Sequence, residues 1–288
     1  MSRSLIIGTS GQLGAALASA FADHDVLSTA HEHPQPGQIT LDLGDAGATR
    51  AVLDRARPDV VLVAGAMCHV DRCEQEPAQC RRINVDGPAL VAGHVNQHGS
   101  RVVFFSTDAV FDGRRSSYRE NDPTNPLNVY ARSKLDAEEE VRAGAPDRHL
   151  IVRTGWVYGP DPQRRNFVLR LIHRIGQGER VEVASDQWGS PTFTEDLAVA
   201  VRFLVDRGDT GTFHASGPEL IDRVSLARMA CKRFGVDAGR IIARPTSALG
   251  QAAPRPLRVL LDCGKLQATG VPPFRGVAAG LDALATRP

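Results

Sequence analysis

Long apolar runs are missing from this chain. Nothing approaches the ~20 consecutive apolar residues of a membrane-spanning helix, and the first apolar run, Leu5 to Ile7, is too short for a signal-peptide core. A cytoplasmic location is therefore expected. Cysteine is scarce too: five residues, an odd number, with no CxxC pair, as suits reduced thiols rather than a disulfide framework. Cys68, His69, Cys73 and Cys80 lie close together, but their spacing matches no common zinc module, so they read as core or surface thiols. An excess of either charge is absent as well. With 34 basic and 33 acidic side chains the formal net charge is +1, which leaves no electrostatic footprint for nucleic acid or an anionic membrane.

What is present is enough apolar residue, 42% of 288, to bury a large core in one large or two small domains. The short run "SLIIG" reads as a strand. From Gln12 to Ala22 the apolar residues Leu13, Ala16, Leu17, Ala20 and Phe21 then follow the spacing of an amphipathic helix. Further apolar runs at "DVLST", "DVVLVAGA", "RVVFFST" and "HLIVRT" alternate with the helical stretches "ATRAVLDRA", "RRINVDGPALVAGHVNQ" and "SKLDAEEEVRA". Strands apolar throughout, alternating with helices, predict an α/β fold with a Rossmann-type doubly wound parallel sheet covered on both faces. After Thr154 the pattern breaks into Pro- and Gly-containing loops, a helix near Glu195 to Asp206, a strand at "GTFHAS", a helix near Ser225 to Phe234, a proline- and arginine-rich tail from Ala243 to Pro256, and a last helix from Val277 to Leu284. The expected division is a dinucleotide-binding domain over residues 1–158, with segments near 195–215 contributing, and a smaller, interwoven substrate domain over 159–288.

Between the first strand and the first helix stands "GTSGQLG", with Gly8, Gly11 and Gly14 at its glycines. In that position glycines allow a tight turn and close backbone approach, so that a pyrophosphate rests on the helix N-terminus; Ser10, Gln12 and Leu13 complete the loop. The GxxGxxG spacing differs from the GxGxxG fingerprint and points to a subset of such folds. An acid closing the second strand would bind a ribose 2′-hydroxyl and repel a 2′-phosphate, but here the strand runs into Ser28, Thr29 and His31, and Glu32 lies too far along. NADP(H) is therefore favoured, with NAD(H) tolerated. Asp42 in "LDLGD", beside Leu43, either meets the adenine or caps a helix, and Ala64, Gly65 and Ala66 after the "DVVLV" strand close the cofactor set.

In "NVYARSK", Tyr130 and Lys134 stand four apart, so on a helix they face one small volume. A nearby cation favours a phenolate and lowers its pKa, which suits proton transfer. The alternative is a surface tyrosine beside a solvated lysine.

Ser106, Thr107 and Asp108 end the "RVVFFS" strand ahead of this pair. A hydroxyl, a tyrosine and a lysine after such a glycine loop resemble the extended branch of the short-chain dehydrogenase/reductase superfamily. The ordered segments "RPDVVLVAGA", "HVDRCEQEP", "INVDG", "STDAVFDG", "PLNVYARSKLDAEE", "VRTGWVYGP", "DQWGSPTFTEDLA", "GTFHASG" and "RPLRVLLDCGKL" resemble the dTDP-4-dehydrorhamnose reductase family over nearly the whole chain. The resemblance implies NAD(P)H-dependent reduction of a nucleotide-linked 4-keto-6-deoxy sugar, foremost dTDP-4-dehydro-L-rhamnose. Tyr130 would then be the general acid, Lys134 its electrostatic support and a ribose ligand, and Thr107, ahead of Ser106, the carbonyl partner. Strand-end hydroxyls also commonly satisfy loop backbone. On the substrate side the resemblance brings in Val70 and Asp71 of the "HVDRCE" loop, Gln187, Gly189 and Pro191 of "DQWGSPT", and Trp156, either an aromatic wall or a core residue. Arg255 is a diphosphate partner or a solvated cation.

Two departures stand out. The family's STD motif is usually followed by tyrosine, whereas here Ala109 follows Asp108, which leaves the sugar open. An acid used by some members to hold magnesium at a dimer interface falls within "GAALAS", which has none, so no metal and no metal-bridged dimer are expected; the chain is a monomer or a homodimer. Dehydratases of similar sequence need an Asp-Glu pair where Asp108-Ala109 stands. The alternatives left are a nucleotide-sugar epimerase and a non-catalytic dinucleotide-binding subunit like the methionine adenosyltransferase β-subunit.

Overall fold

The computed structural model describes residues 2–286. Seven strands, β1 (Arg3–Ile7), β2 (Asp25–Ala30), β3 (Ile39–Thr40), β4 (Val60–Val63), β5 (Arg101–Thr107), β6 (His149–Thr154) and β7 (Gly211–His214), form one sheet in the order β7-β6-β5-β4-β1-β2-β3. Every pairing is parallel. The fold is the doubly wound Rossmann type expected. β3 has no counterpart in the reading above, because two residues carry no periodic signal.

The strands are apolar on both sides because both sides are covered. Leu5, Ile7, Val61, Val63 and Phe104 pack against Leu53, Val91, Val95 and Val141 of the helices Ala46–Ala56, Gly87–His98 and Val129–Gly144. On the other face Ile6, Leu62, Val103 and Val152 meet Leu17 of helix Gln12–Ala20 and Leu197, Val201 and Leu204 of helix Thr194–Arg207. A separate core, built on Tyr158, Val168, Phe193, Leu226 and Leu281, joins the helices Phe167–Gly176, Arg223–Phe234 and Val277–Ala285. No helix among the described residues is long and apolar enough to cross a membrane.

Strand order reverses at β1, whose neighbours are β2 and β4, so the chain leaves these strands in opposite directions and opens a crevice at their carboxyl ends. Two glycines make that crevice possible. Gly8 has φ +97°, and a side chain there would stand 2.6 Å from the backbone nitrogen of Gly65. A Cβ on Gly14 would overlap the carbonyl oxygen of Gly8. The stretch read as one helix from Arg81 to Gln97 contains a π-helical turn, Arg82–Asp86, between the helices Pro77–Arg81 and Gly87–His98.

Candidate active site

The crevice is a cleft of about 580 Å³. All the dinucleotide positions read from the sequence line it: residues 8, 10–14, 31, 42–43 and 64–66, with Tyr130 and Lys134 at one end. Helix Gln12–Ala20 begins at Gly11, which has no side chain to cap it, and its first turn holds no acid. An uncapped helix start opening onto a glycine turn is a cradle for phosphate, so these residues fit a dinucleotide. Asp42 is not a helix cap; that place belongs to Asp45, which accepts from Ala48 N at 3.0 Å. Asp42 instead accepts from Gly44 N at 2.9 Å and pairs with Arg82 at 3.4 Å. One correction concerns Glu32. It does not lie too far along but lines the cleft with His31 and Arg72, close enough to Arg72 to act on its guanidinium.

Tyr130 sits in the first turn of helix Val129–Gly144, which starts four residues earlier than the "SKLDAEEEVRA" reading. Asn128 caps it, accepting from Ala131 N at 2.8 Å, while its amide donates to Pro254 O at 2.8 Å. The helix is pinned to β6 by a buried pair in which Arg153 donates to both oxygens of Glu138, at 2.8 and 2.7 Å. Its register thus places Tyr130 and Lys134 at the cleft.

The electrostatics differ from the simple expectation that the lysine lowers the tyrosine. Burial pushes the Tyr130 phenol well above its ordinary value; Cys68 and Asp108 push the same way, and a hydrogen bond with Thr107 opposes them. Burial also lowers the Lys134 ammonium to about 8, and its Nζ rests 4.0 Å from the centre of the Phe104 ring. Desolvation is the first cause of both shifts, and it holds the phenol protonated.

Ser106 lines the cleft with this pair. Thr107 Oγ1 donates to Asp108 Oδ1 at 3.1 Å and accepts from Ala109 N at 3.2 Å. Burial raises the Asp108 carboxyl to about 6. Val70 and Asp71 open a short helix, Val70–Gln75, and Asp71 reaches across 184 residues to accept from Arg255 at 3.0 Å. The other terminal nitrogen of Arg255, Nη1, is buried with no hydrogen-bond partner among the described residues. Gln187 is buried and donates to Thr246 at 3.1 Å, and Pro191 is buried nearby.

Trp156 is neither an open wall nor plain core. One face carries the guanidinium of Arg223, 3.6 Å from the ring centre, and a Cβ on Gly189 would overlap the indole. Its backbone, at φ +46°, holds that pose. Arg223 was not legible in the sequence, where it is one arginine of a helix start. Its backbone donates to Gln187 O at 3.0 Å, its side chain has no hydrogen-bond acceptor among the described residues, and burial lowers it to about 10, opposed by Asp108 and reinforced by Arg170 and Arg255. Three guanidiniums near one carboxyl make this a place for an anion. Asn84 was also missed. Buried in the π-helical turn, it accepts from Met67 N at 2.8 Å and donates to Met67 O and Ser133 Oγ, both at 3.1 Å, tying the loop after β4 to the Tyr130 helix. A polar residue inside an otherwise apolar helical stretch, "INVDG", was its only signal.

A dTDP-4-keto-6-deoxy-D-glucose reductase of Streptomyces niveus is 33% identical over 277 residues, covering 95% of this chain and 93% of that protein. A dTDP-4-dehydrorhamnose reductase of Streptomyces griseus is 34% identical, covering 97% and 91%. The crystal structure of dTDP-4-dehydrorhamnose reductase from Bacillus anthracis in complex with NADP superposes with a TM-score of 0.89 at 28% identity, covering 99% of each chain. The family model described as the RmlD substrate binding domain matches residues 2–287. With that match over nearly its whole length, the chain belongs to the RmlD substrate binding domain family.

Proposed function

We propose that this protein is an NADPH-dependent reductase of a nucleotide-linked 4-keto-6-deoxy sugar, with dTDP-4-dehydro-L-rhamnose as the foremost substrate. The observation that carries the reading is the meeting, in one cleft, of the glycine cradle and the Tyr130–Lys134 pair, with Asp108 and the unpartnered Arg223 beyond. The reductase names of the relatives and the NADP in the Bacillus anthracis structure agree with it.

Residues 8–14 and 64–66 would hold the dinucleotide, with its pyrophosphate at the uncapped helix start. When bound, NADPH supplies the hydride. Tyr130, kept protonated by burial, gives its phenolic proton to the sugar carbonyl oxygen, and Lys134, charged at neutral pH with its value near 8, stabilises the phenolate left behind. Thr107 donates to the same oxygen, exchanging its bond to Asp108 for one to the substrate. Arg223 and the free Nη1 of Arg255 hold the diphosphate, and Val70, Asp71, Gln187, Gly189 and Pro191 shape the surroundings. The dinucleotide unit spans residues 1–158 with the segment near 195–215, and the remainder closes over the sugar. Five free thiols fit a cytoplasmic setting. An epimerase and a non-catalytic subunit are not favoured, since both relatives described above are named as reductases.

The test follows NADPH and NADH absorbance with enzymatically generated dTDP-4-dehydro-L-rhamnose, in the wild type and in Tyr130→Phe. The expected result is turnover with NADPH that falls ~10²–10⁴-fold in the variant, with dinucleotide affinity nearly unchanged. Substantial residual turnover would overturn the assigned acid.

A further inference from the structure

We propose that Asp54, His94 and His98 form a binding site for a divalent transition metal ion such as Zn²⁺, distinct from the cleft. His94 and His98 stand four apart on helix Gly87–His98, and Asp54 comes from the adjoining helix Ala46–Ala56. On a helix that spacing puts both imidazoles on one face. One ligand atom from each residue lies within 4.8 Å of the others. Zinc bound at ~2.0–2.1 Å needs its ligands roughly 3.4 Å apart, so about an ångström of movement suffices. Asp54 and His98 are exposed and free to make it.

Several features prepare the site. The two rings stack with centroids 4.1 Å apart, 18° from parallel. His98 Nδ1 lies 2.9 Å from the carbonyl of His94, and donation there leaves Nε2 as the ligand atom, the usual outer-shell arrangement of a metal-bound histidine. His94 is buried, with Nε2 2.9 Å from Asp54 Oδ1 and Nδ1 without a hydrogen-bond partner among the described residues. For His94 to ligate through Nε2 as a neutral imidazole, the ring proton shifts from Nε2 to Nδ1, and the Nε2–Asp54 hydrogen bond is replaced by one bond from each group to the ion. His98 ends its helix and Asp54 lies in the last turn of the other, where carbonyl dipoles favour a cation. The two helices end just before the amino ends of β4 and β5, at the end of the sheet opposite the cleft. Two imidazoles and one carboxylate select zinc, cobalt, nickel or copper over magnesium or calcium. The ion would clasp the two helices, as a structural element.

The measurement is calorimetric titration of Zn²⁺ into the chelator-stripped full chain, with Co²⁺ visible absorption and thermal melting alongside. Cys68→Ser serves as a control for thiol ligation. The expected result is one equivalent bound, at least tenfold weaker in His98→Ala and in Asp54→Ala, unchanged in Cys68→Ser, with a zinc-dependent rise in melting temperature that His98→Ala abolishes. Binding that survives His98→Ala unaltered, or no binding at millimolar Zn²⁺, overturns the proposal.

Discussion

Replacing Arg223 by methionine separates a substrate-binding arginine from a structural one. The guanidinium lies over Trp156 at 3.6 Å and Phe167 at 4.6 Å, has no hydrogen-bond acceptor among the described residues, and shares its surroundings with Arg170 and Arg255. Were it structural, its removal would cost the cation–π contact, about 0.5–2 kcal/mol. That loss is offset by relief from burying an unpaired cation beside two others, since replacing buried charge with a well-packed apolar side chain is often neutral or stabilising. The expected melting temperature is therefore unchanged or slightly raised. Binding responds differently. A charge-assisted hydrogen bond contributes about 1.5–3 kcal/mol, so losing the fork should raise KM for the nucleotide sugar by roughly 10–150-fold, at 1.4 kcal/mol per decade. kcat should move only a few-fold, because the diphosphate is remote from the reacting carbonyl and is held alike in ground and transition states. Arg223→Lys keeps the charge without the fork and should fall between. The assay is NADPH oxidation at varied sugar nucleotide, with a thermal melt of each variant. An unchanged KM together with a fall of several degrees in melting temperature would refute the reasoning and make Arg223 a support for Trp156.

Three further outcomes are expected. Glu32→Gln removes a negative charge from the lining of the cleft and should raise the NADPH-over-NADH ratio of kcat/KM by roughly tenfold; a shift toward NADH would refute a part for Glu32 in the choice of dinucleotide. Gly14→Ala forces a methyl into the Gly8 carbonyl and should cost about 3 kcal/mol or more, with dinucleotide binding lost, as read by denaturation and fluorescence titration. Asp112 accepts from Tyr118 at 2.6 Å, Asn125 at 3.1 Å and Arg114 N at 3.1 Å, and these bonds lower its carboxyl from 3.8 to about 2. The folded form holds its proton less tightly, so its stabilisation is full above 3.8 and lost as pH falls through 2. Asp112→Asn should accordingly cost about 2 kcal/mol near neutral pH, with the gap to wild type in urea denaturation closing toward pH 2; a pH-independent gap would contradict it.

Much of the fold was legible because its causes are local. A strand buried on both faces must be apolar at every position, as in Leu5 to Ile7 and Val60 to Val63, and a helix facing one core must repeat every three to four residues, as Leu13 and Leu17 do. Gly14 answers to the Gly8 carbonyl within seven residues of chain, and Tyr130 and Lys134 to the pitch of one helix, whereas the close approach of Gly8 to Gly65 is a contact between two strand ends. The local features followed from neighbours along the chain, whereas the meeting of residues 8–14, 31–32, 41–43 and 64–66 in one cleft did not. The two-residue strand β3 and the π-helical turn escaped because neither leaves a periodic mark.

The rest was decided through space. Asp71 finds Arg255 across 184 residues, Arg223 settles on Trp156, and Asp54 meets His94 across 40. Burial, which no spacing reports, raises Tyr130 and lowers Lys134 against the direction their mutual attraction would set. Periodicity and backbone sterics act over a few bonds and are written in sequence order. Desolvation and charge act over ångströms of space, and only the folded chain determines which groups share them.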